Sequence, residues 1–386
     1  MEERMRSSYR TEDVCLLLKD ITGMVKPQPA VERERLIQSG VHYCEMLPVE
    51  YVPSQAYMEA YDSAVRQFAR PTALAVERLA DRVMRQKGRE TVLVSLARAG
   101  IPVGILLKHN IRQRYGVNLP HYAISIIRGR GIDRNAMKYL LENYAPEQLL
   151  FVDGWIGKGA IWRELKKEIA QFPGVSPEIA VLADPAYVTE LCGTHEDILI
   201  PSACLNCTVS GLISRTFLRG DIIGEEDFHG AVYYGELAGQ DLSYAFLQAI
   251  EREFRQKETR QQRKLVEKQA EEGRREKSAE NPGDPEGYLA GHPEDGPLRG
   301  SGWKEAEKIA LEFGISNLNL VKPGIGETTR VLLRRVPWKV LVDAHSKGDP
   351  ALEHILRLAE EKGVPVEYYP MKCYKACGLI KKMADT

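Results

Sequence analysis

The residues with the clearest chemical content lie in one run, Asp153-Gly154-Trp155-Ile156-Gly157-Lys158-Gly159-Ala160. An acid comes first, and a glycine-rich turn carrying one lysine follows. Glycines let the backbone approach a ligand closely, and the first N–H groups of a following helix lack internal partners, so such a turn can cradle a phosphate. Two familiar phosphate motifs do not fit. A P-loop requires Ser or Thr after Gly-Lys, where this chain has Gly159, and a glycine five residues before Gly157, where it has Val152. A dinucleotide fingerprint places its acid about 20 residues after the turn, whereas Asp153 precedes it.

The elements that must position these residues follow from the apolar pattern. Leu149-Leu150-Phe151-Val152 is too short and bulky for a helix and suits a strand buried on both faces. From Gly159 onward Ile161, Leu165 and Ile169 recur at helical spacing. Further strands are expected at 91–96, 121–128 and 179–184, with helices at 103–115 and 135–144 between them. Upstream, a short helical run at 14–18 and a helix over 54–88, interrupted at Pro71, are expected. Alternating strands and helices imply right-handed crossovers and a parallel sheet, hence an α/β fold with its ligand site at the carboxyl ends of the strands.

Three loops leaving those strand ends resemble, in order, the ligand loops of type I phosphoribosyltransferases. Ser95-Leu96-Ala97-Arg98-Ala99-Gly100 is similar to the diphosphate loop, with Arg98 toward the diphosphate. Arg128-Gly129-Arg130-Gly131-Ile132-Asp133 falls where that family has a mobile loop that closes over substrate, and two arginines there suit an anion clamp. The resemblance implies that Asp153 holds ribose hydroxyls directly or through magnesium, and that Gly154 to Ala160 hold a 5-phosphate. It implies an enzyme using phosphoribosyl pyrophosphate and Mg, Arg128 and Arg130 acting as charge builds on the leaving group, with an unknown nitrogenous base as acceptor. The family usually has two adjacent acids, and this chain has Asp153 then Gly154. That departure keeps open a non-catalytic sensor of phosphoribosyl pyrophosphate or a nucleotide that controls RNA binding.

Residues 201–216 are dense in small hydroxyl and thiol side chains and follow an apparent strand at 197–200. Cys204, Asn206, Thr208 and Ser210 are candidates to face the base. The chain as a whole looks like the phosphoribosyltransferase-type proteins of bacterial tellurite-resistance and stress gene clusters, some of which carry the label cysteine protease. A thiol protease pairs Cys with His, and Cys204 has His42, His121, His195 and His229 as possible partners, none selected by the sequence. The transferase is the expectation here, with protease activity as an alternative. Cys204 and Cys207 form C-x-x-C, but the other close pair, Cys373 and Cys377, is four apart, which argues against a zinc site.

At 386 residues the chain is long enough for two or three domains. A net charge of −1 excludes nucleic-acid binding by bulk attraction, though not by a local patch. No apolar run is long enough to span a membrane and the start has no signal-like segment, so a cytoplasmic protein is expected, with seven reduced cysteines and a possible homodimer. The resemblance implies that residues 1–250 form the phosphoribosyltransferase-like unit, with a helical N-terminal extension. Residues 251–301, rich in charge and then in Pro and Gly, are expected to be a flexible tether. Residues 302–386 read as a small α/β/α sandwich ending in a helix at 374–383. Its turn Gly324-Ile325-Gly326-Glu327-Thr328-Thr329-Arg330 resembles the RNA-binding turn of the Pelota and kink-turn-binding ribosomal protein class, and Arg334 adds to a basic face. The resemblance implies contact with structured RNA.

Overall fold

A computed structural model of the chain describes residues 5–254 and 300–382. In chain order the N-terminal domain contains strands β1 (Cys15–Leu16), β2 (Lys19–Asp20), β3 (Val92–Leu96), β4 (His121–Ile124), β5 (Ile126–Ile127), β6 (Gly131–Ile132), β7 (Leu149–Trp155), β8 (Ile179–Ala183), β9 (Cys192–Thr194) and β10 (Gly230–Ala231). Its helices are α1 (Ala30–Gln38), α2 (Gln55–Gln86), α3 (Gly100–Tyr115), α4 (Arg134–Asn143), α5 (Ala160–Ile169) and α6 (Ser243–Glu251). The main sheet runs β1-β4-β3-β7-β8-β9, with every neighbouring pair parallel. Alternate residues of β3, β7 and β8 enter two separate cores. Leu93, Leu150, Val152 and Ala180 pack with α2, α3 and α6, while Val94, Leu149, Phe151 and Val181 pack with α4 and α5. Such two-sided burial explains why these strands read as continuous apolar runs.

Several local expectations are corrected. The segment expected as a short helix at 14–18 contributes β1, an edge strand paired with β4. The helix expected to break at Pro71 is continuous through it, because the residues after the proline, Thr72, Ala73, Ala75 and Val76, are fully covered by the sheet and its neighbours. That packing outweighs the roughly 3 kcal/mol an interior proline costs. The strand expected over 121–128 is two, because β5 leaves the main sheet to pair antiparallel with β6, making a hairpin around Arg128–Arg130. Residues 197–200 are irregular, and the strand before them is β9.

The second unit comprises α7 (Ser301–Glu312), β11 (Val321–Pro323), α8 (Ile325–Arg334), β12 (Pro337–Asp343), α9 (Glu353–Glu361), β13 (Val366–Tyr369) and β14 (Ala376–Ile380). Its sheet order is β11-β14-β12-β13. The helix expected at 374–383 is instead the strand β14, hydrogen-bonded on both sides and buried throughout. A short apolar run has no periodicity to separate the two states, and the two open flanks of β11 and β12 decide it. α7 packs on one face of this sheet, and α8 and α9 on the other. The core behind α8 and α9 is continuous with that around α2, so the two units share one apolar cluster. The expected tether lies outside the described residues for 255–299.

Candidate functional site

β4 lies on one side of β3 and β8 on the other side of β7, so the strand order reverses between β3 and β7, and the loops after these two strands meet. Their approach requires glycine at position 100, where a Cβ would stand 2.3 Å from the Val152 carbonyl oxygen. Asp153 sits half-buried at this junction and accepts the Gly154 N–H at 2.7 Å. Burial pushes its carboxyl up to about 6, against the attraction of Arg330.

A cavity of about 290 Å³ opens here, walled by Ala97, Arg98, Ala99, Asp153 and the turn Trp155 to Ala160 on one side, and by Glu327, Arg330, Arg334 and Arg335 of the C-terminal unit on the other. All four expected loop regions therefore reach the cavity: 97–99, Arg128, Asp153 with 155–160, and Arg215 and Thr216 of the 201–216 segment. Ser95 does not line the cavity. Its hydroxyl donates to the Gly100 carbonyl at 3.0 Å and lies 2.7 Å from His121 Nε2, inside the core. Arg130 is exposed on the hairpin and pairs with Glu45 at 2.6 Å, away from the cavity. Lys158, expected to meet a phosphate, turns into the domain junction and donates to the Val321 carbonyl at 2.8 Å and to that of Leu318. Burial, with Lys322 and Arg128 nearby, lowers its ammonium to about 7. Arg98 reaches the cavity but its guanidinium also donates to the Ile213 carbonyl at 2.5 Å.

The segment expected to face a base divides. Asn206 and Ser210 line a side chamber of about 30 Å³ together with Arg98, Trp155, Arg330 and Arg334. Cys204 and Thr208 do not. Cys204 is fully buried beside α2, its carbonyl takes the Tyr57 hydroxyl at 2.6 Å, and burial pushes its thiol far up, with no histidine among the described residues hydrogen-bonded to it.

Other groups at the site escaped sequence reasoning. Arg215 stands 4.3 Å from the Tyr43 ring centroid at the cavity wall, and Arg330 lies 4.4 Å from that of Trp155. Near the hairpin, Cys44 Sγ is 2.9 Å from His42 Nδ1, while His42 Nε2 is 3.0 Å from the Arg128 carbonyl oxygen. That carbonyl fixes the proton on Nε2 and leaves Nδ1 to accept from the thiol. Burial raises the Cys44 thiol to about 11 and lowers the His42 imidazole, so the resting pair is neutral. A looser pair joins Cys192 Sγ to His195 Nε2 at 3.5 Å, with His195 Nδ1 2.9 Å from the Asp184 carbonyl oxygen. Only the spacing His42-Tyr43-Cys44 was visible in advance, and it is too common to single out.

Gly324, Gly326, Glu327, Arg330 and Arg334 of the RNA turn lie at the domain junction, while Thr328 packs on its own sheet. Gly324, Gly326 and Thr328 are buried, and Glu327, Arg330 and Arg334 are half-buried. A Cβ on Gly326 would fall 2.3 Å from the Trp155 ring, and Arg334 Nε donates to Asn206 Oδ1 at 2.5 Å.

Fold and site define an α/β protein with a cationic cavity at its strand switch and a second α/β unit closing over it. The family described as tellurite-like stress resistance cysteine protease StiP matches residues 7–251, and the chain belongs to that family. The PELOTA RNA-binding domain matches residues 300–382. A protein of Acinetobacter baylyi named cysteine protease StiP is 33% identical over 99% of this chain and 96% of its own length. A hypoxanthine-guanine phosphoribosyltransferase of Bacillus anthracis is similar over 38% of this chain and 80% of its own, with 16% identity and a TM-score of 0.24. These matches correct the expectation of a phosphoribosyltransferase in which protease activity was the lesser alternative: family and relative alike are named cysteine proteases. Among the described residues, no helix is long and apolar enough to cross a membrane.

Proposed function

We propose that the chain is a stress-response cysteine protease with an RNA-binding C-terminal domain, and that its reacting pair is Cys44 and His42. The observation that carries this reading is the 2.9 Å separation of Cys44 Sγ and His42 Nδ1, with Nε2–H anchored on the Arg128 carbonyl. In the reaction the thiol gives its proton to Nδ1 as sulfur attacks a peptide carbonyl. The imidazolium returns that proton to the leaving amine, and water, deprotonated by the same histidine, hydrolyses the thioester. Cys44 is fully buried, so substrate reaches it only when surrounding segments move, the 128–131 hairpin among them. Cleavage of casein and of the chain itself should vanish in Cys44→Ser and His42→Ala and persist in Cys204→Ser and Cys192→Ser. Cleavage retained by Cys44→Ser overturns the assignment.

A second reading is favoured by the charge of the cavity, where Arg98, Arg128, Arg215 and Arg330 surround the single N-terminal-domain acid Asp153. It supports binding of phosphoribosyl pyrophosphate or a nucleotide, with phosphates on the arginines and ribose hydroxyls on Asp153. No group of three or more metal-ligating side chains converges among the described residues. Magnesium held at Asp153 would therefore draw most of its ligands from the phosphates. Calorimetry should show Asp153→Asn abolishing this binding without a large change in melting temperature, and unchanged affinity refutes the role of Asp153.

A further inference from the structure

The turn that opens α8 is the part of the C-terminal domain that resembles an RNA-reading loop, and the N-terminal domain covers it. The Asp197 carboxylate, 7% exposed, accepts the Ile325 N–H at 2.9 Å through one oxygen and the Lys375 N–H at 2.9 Å through the other. It thus ties the first turn of α8 and the segment before β14 to the loop after β9, and a carboxylate suits the positive end of a helix. Around this latch, the Tyr374 hydroxyl donates to the Gly157 carbonyl at 2.7 Å, and Gly157 itself packs where an added Cβ would be 3.0 Å from Glu327. Gly326 lies flat on Trp155, and Arg330 stacks on the same ring. Arg334, the last residue of α8, and Arg335 just after it are taken by Asn206 and Glu34. The basic residues Arg330, Arg334 and Arg335 and the Ile325 N–H thus all meet N-terminal-domain groups, while Thr328 and Thr329 bond within their own domain.

We propose that the described arrangement is an RNA-excluding closed state, in which the N-terminal domain, latched by Asp197, and structured RNA compete for one face of the C-terminal domain. This rests on the reading of residues 300–382 as RNA-binding. RNA therefore binds the full chain only at the cost of parting the two domains, and variants that loosen the latch bind more tightly, because less contact is lost on opening.

The test is fluorescence anisotropy of a labelled hairpin RNA with an internal bulge, titrated with full-length protein at low salt. Asp197→Ala should raise affinity by about tenfold. Tyr374→Phe, which removes one hydroxyl and leaves the ring in place, should raise it by less, and it carries the test if Asp197→Ala fails to fold. Adding Arg330→Ala and Arg334→Ala to the loosened chain should remove the gain and flatten the salt dependence. Wild-type affinity in both latch variants, with RNA bound by all forms, overturns the closed state while leaving RNA binding in place. Absence of binding in every form, the Asp197→Ala/Tyr374→Phe chain included, overturns the RNA reading and the proposal with it.

Discussion

The ion pair between Glu34 and Arg335 joins the two domains and gives a test whose size follows from burial. Glu34, on α1 and 1% exposed, accepts Arg335 Nε at 2.6 Å and Nη2 at 2.9 Å. The adjacent Arg33 is 1% exposed, its guanidinium makes no hydrogen bond among the described residues, and burial lowers it to about 10 while Glu34 and Glu50 support its charge. Glu34→Ala therefore leaves two cations facing each other at the junction. Removing one member of a buried pair costs roughly 3–5 kcal/mol, and the partial exposure of Arg335 places this case near 3 kcal/mol. At about 2–4 °C per kcal/mol the melting temperature should fall by about 6–12 °C. Adding Arg335→Ala should recover part of the loss, with a coupling of about 2 kcal/mol. The sign with pH is fixed too. Despite burial, Arg335 and Gln38 hold the Glu34 carboxyl below its usual 4.5. Its contribution is present above that value and lost as pH falls through the depressed one, so the gap between wild type and Glu34→Ala should narrow in acid. Calorimetric scans at neutral and acid pH decide it. A shift within about 1 °C, or a gap that widens in acid, refutes the reasoning.

Further outcomes follow from other contacts. His109 lies 2.7 Å from Asp13 and 2.6 Å from Glu251, and although burial opposes the charge, these carboxylates raise its imidazole to about 9. Its stabilisation is complete below pH 6.5 and fades as pH rises through 9, so urea titrations should show wild type losing about 3 kcal/mol over that window and His109→Gln losing little. Gly326→Ala should cost about 1–3 kcal/mol by forcing a methyl into the Trp155 ring, read as a shift in tryptophan emission and a lower midpoint; an unchanged midpoint refutes that packing. Native Cys44 should alkylate slowly at pH 7 and faster as pH approaches 11, whereas Cys204 should resist until the chain unfolds, as mass spectrometry of labelled peptides can establish.

What the sequence determined by itself was whatever depends on a local period or a local turn. The apolar run at 149–152, the glycines after Asp153 and the alternation of strand with helix pointed to a parallel α/β sheet with its ligand loops at the carboxyl edge, while the adjacency of β3 and β7 came from the tertiary structure. Only the tertiary structure decided the states of short or conflicted segments: Pro71 stays helical because the residues after it are covered, and 376–380 is a strand because two neighbours need its hydrogen bonds. It also decided the partners of each charge. Lys158 and Arg130 have the residue types of phosphate ligands, yet one faces carbonyls of a domain more than 150 residues away and the other pairs with Glu45. The Cys44–His42 contact depends on the Arg128 carbonyl fixing a tautomer, and the covering of the α8 turn depends on Asp197. Apart from Cys44–His42 itself, these contacts join residues distant in sequence, and no periodicity along the chain encodes which of several carboxylates or carbonyls a buried cation will meet.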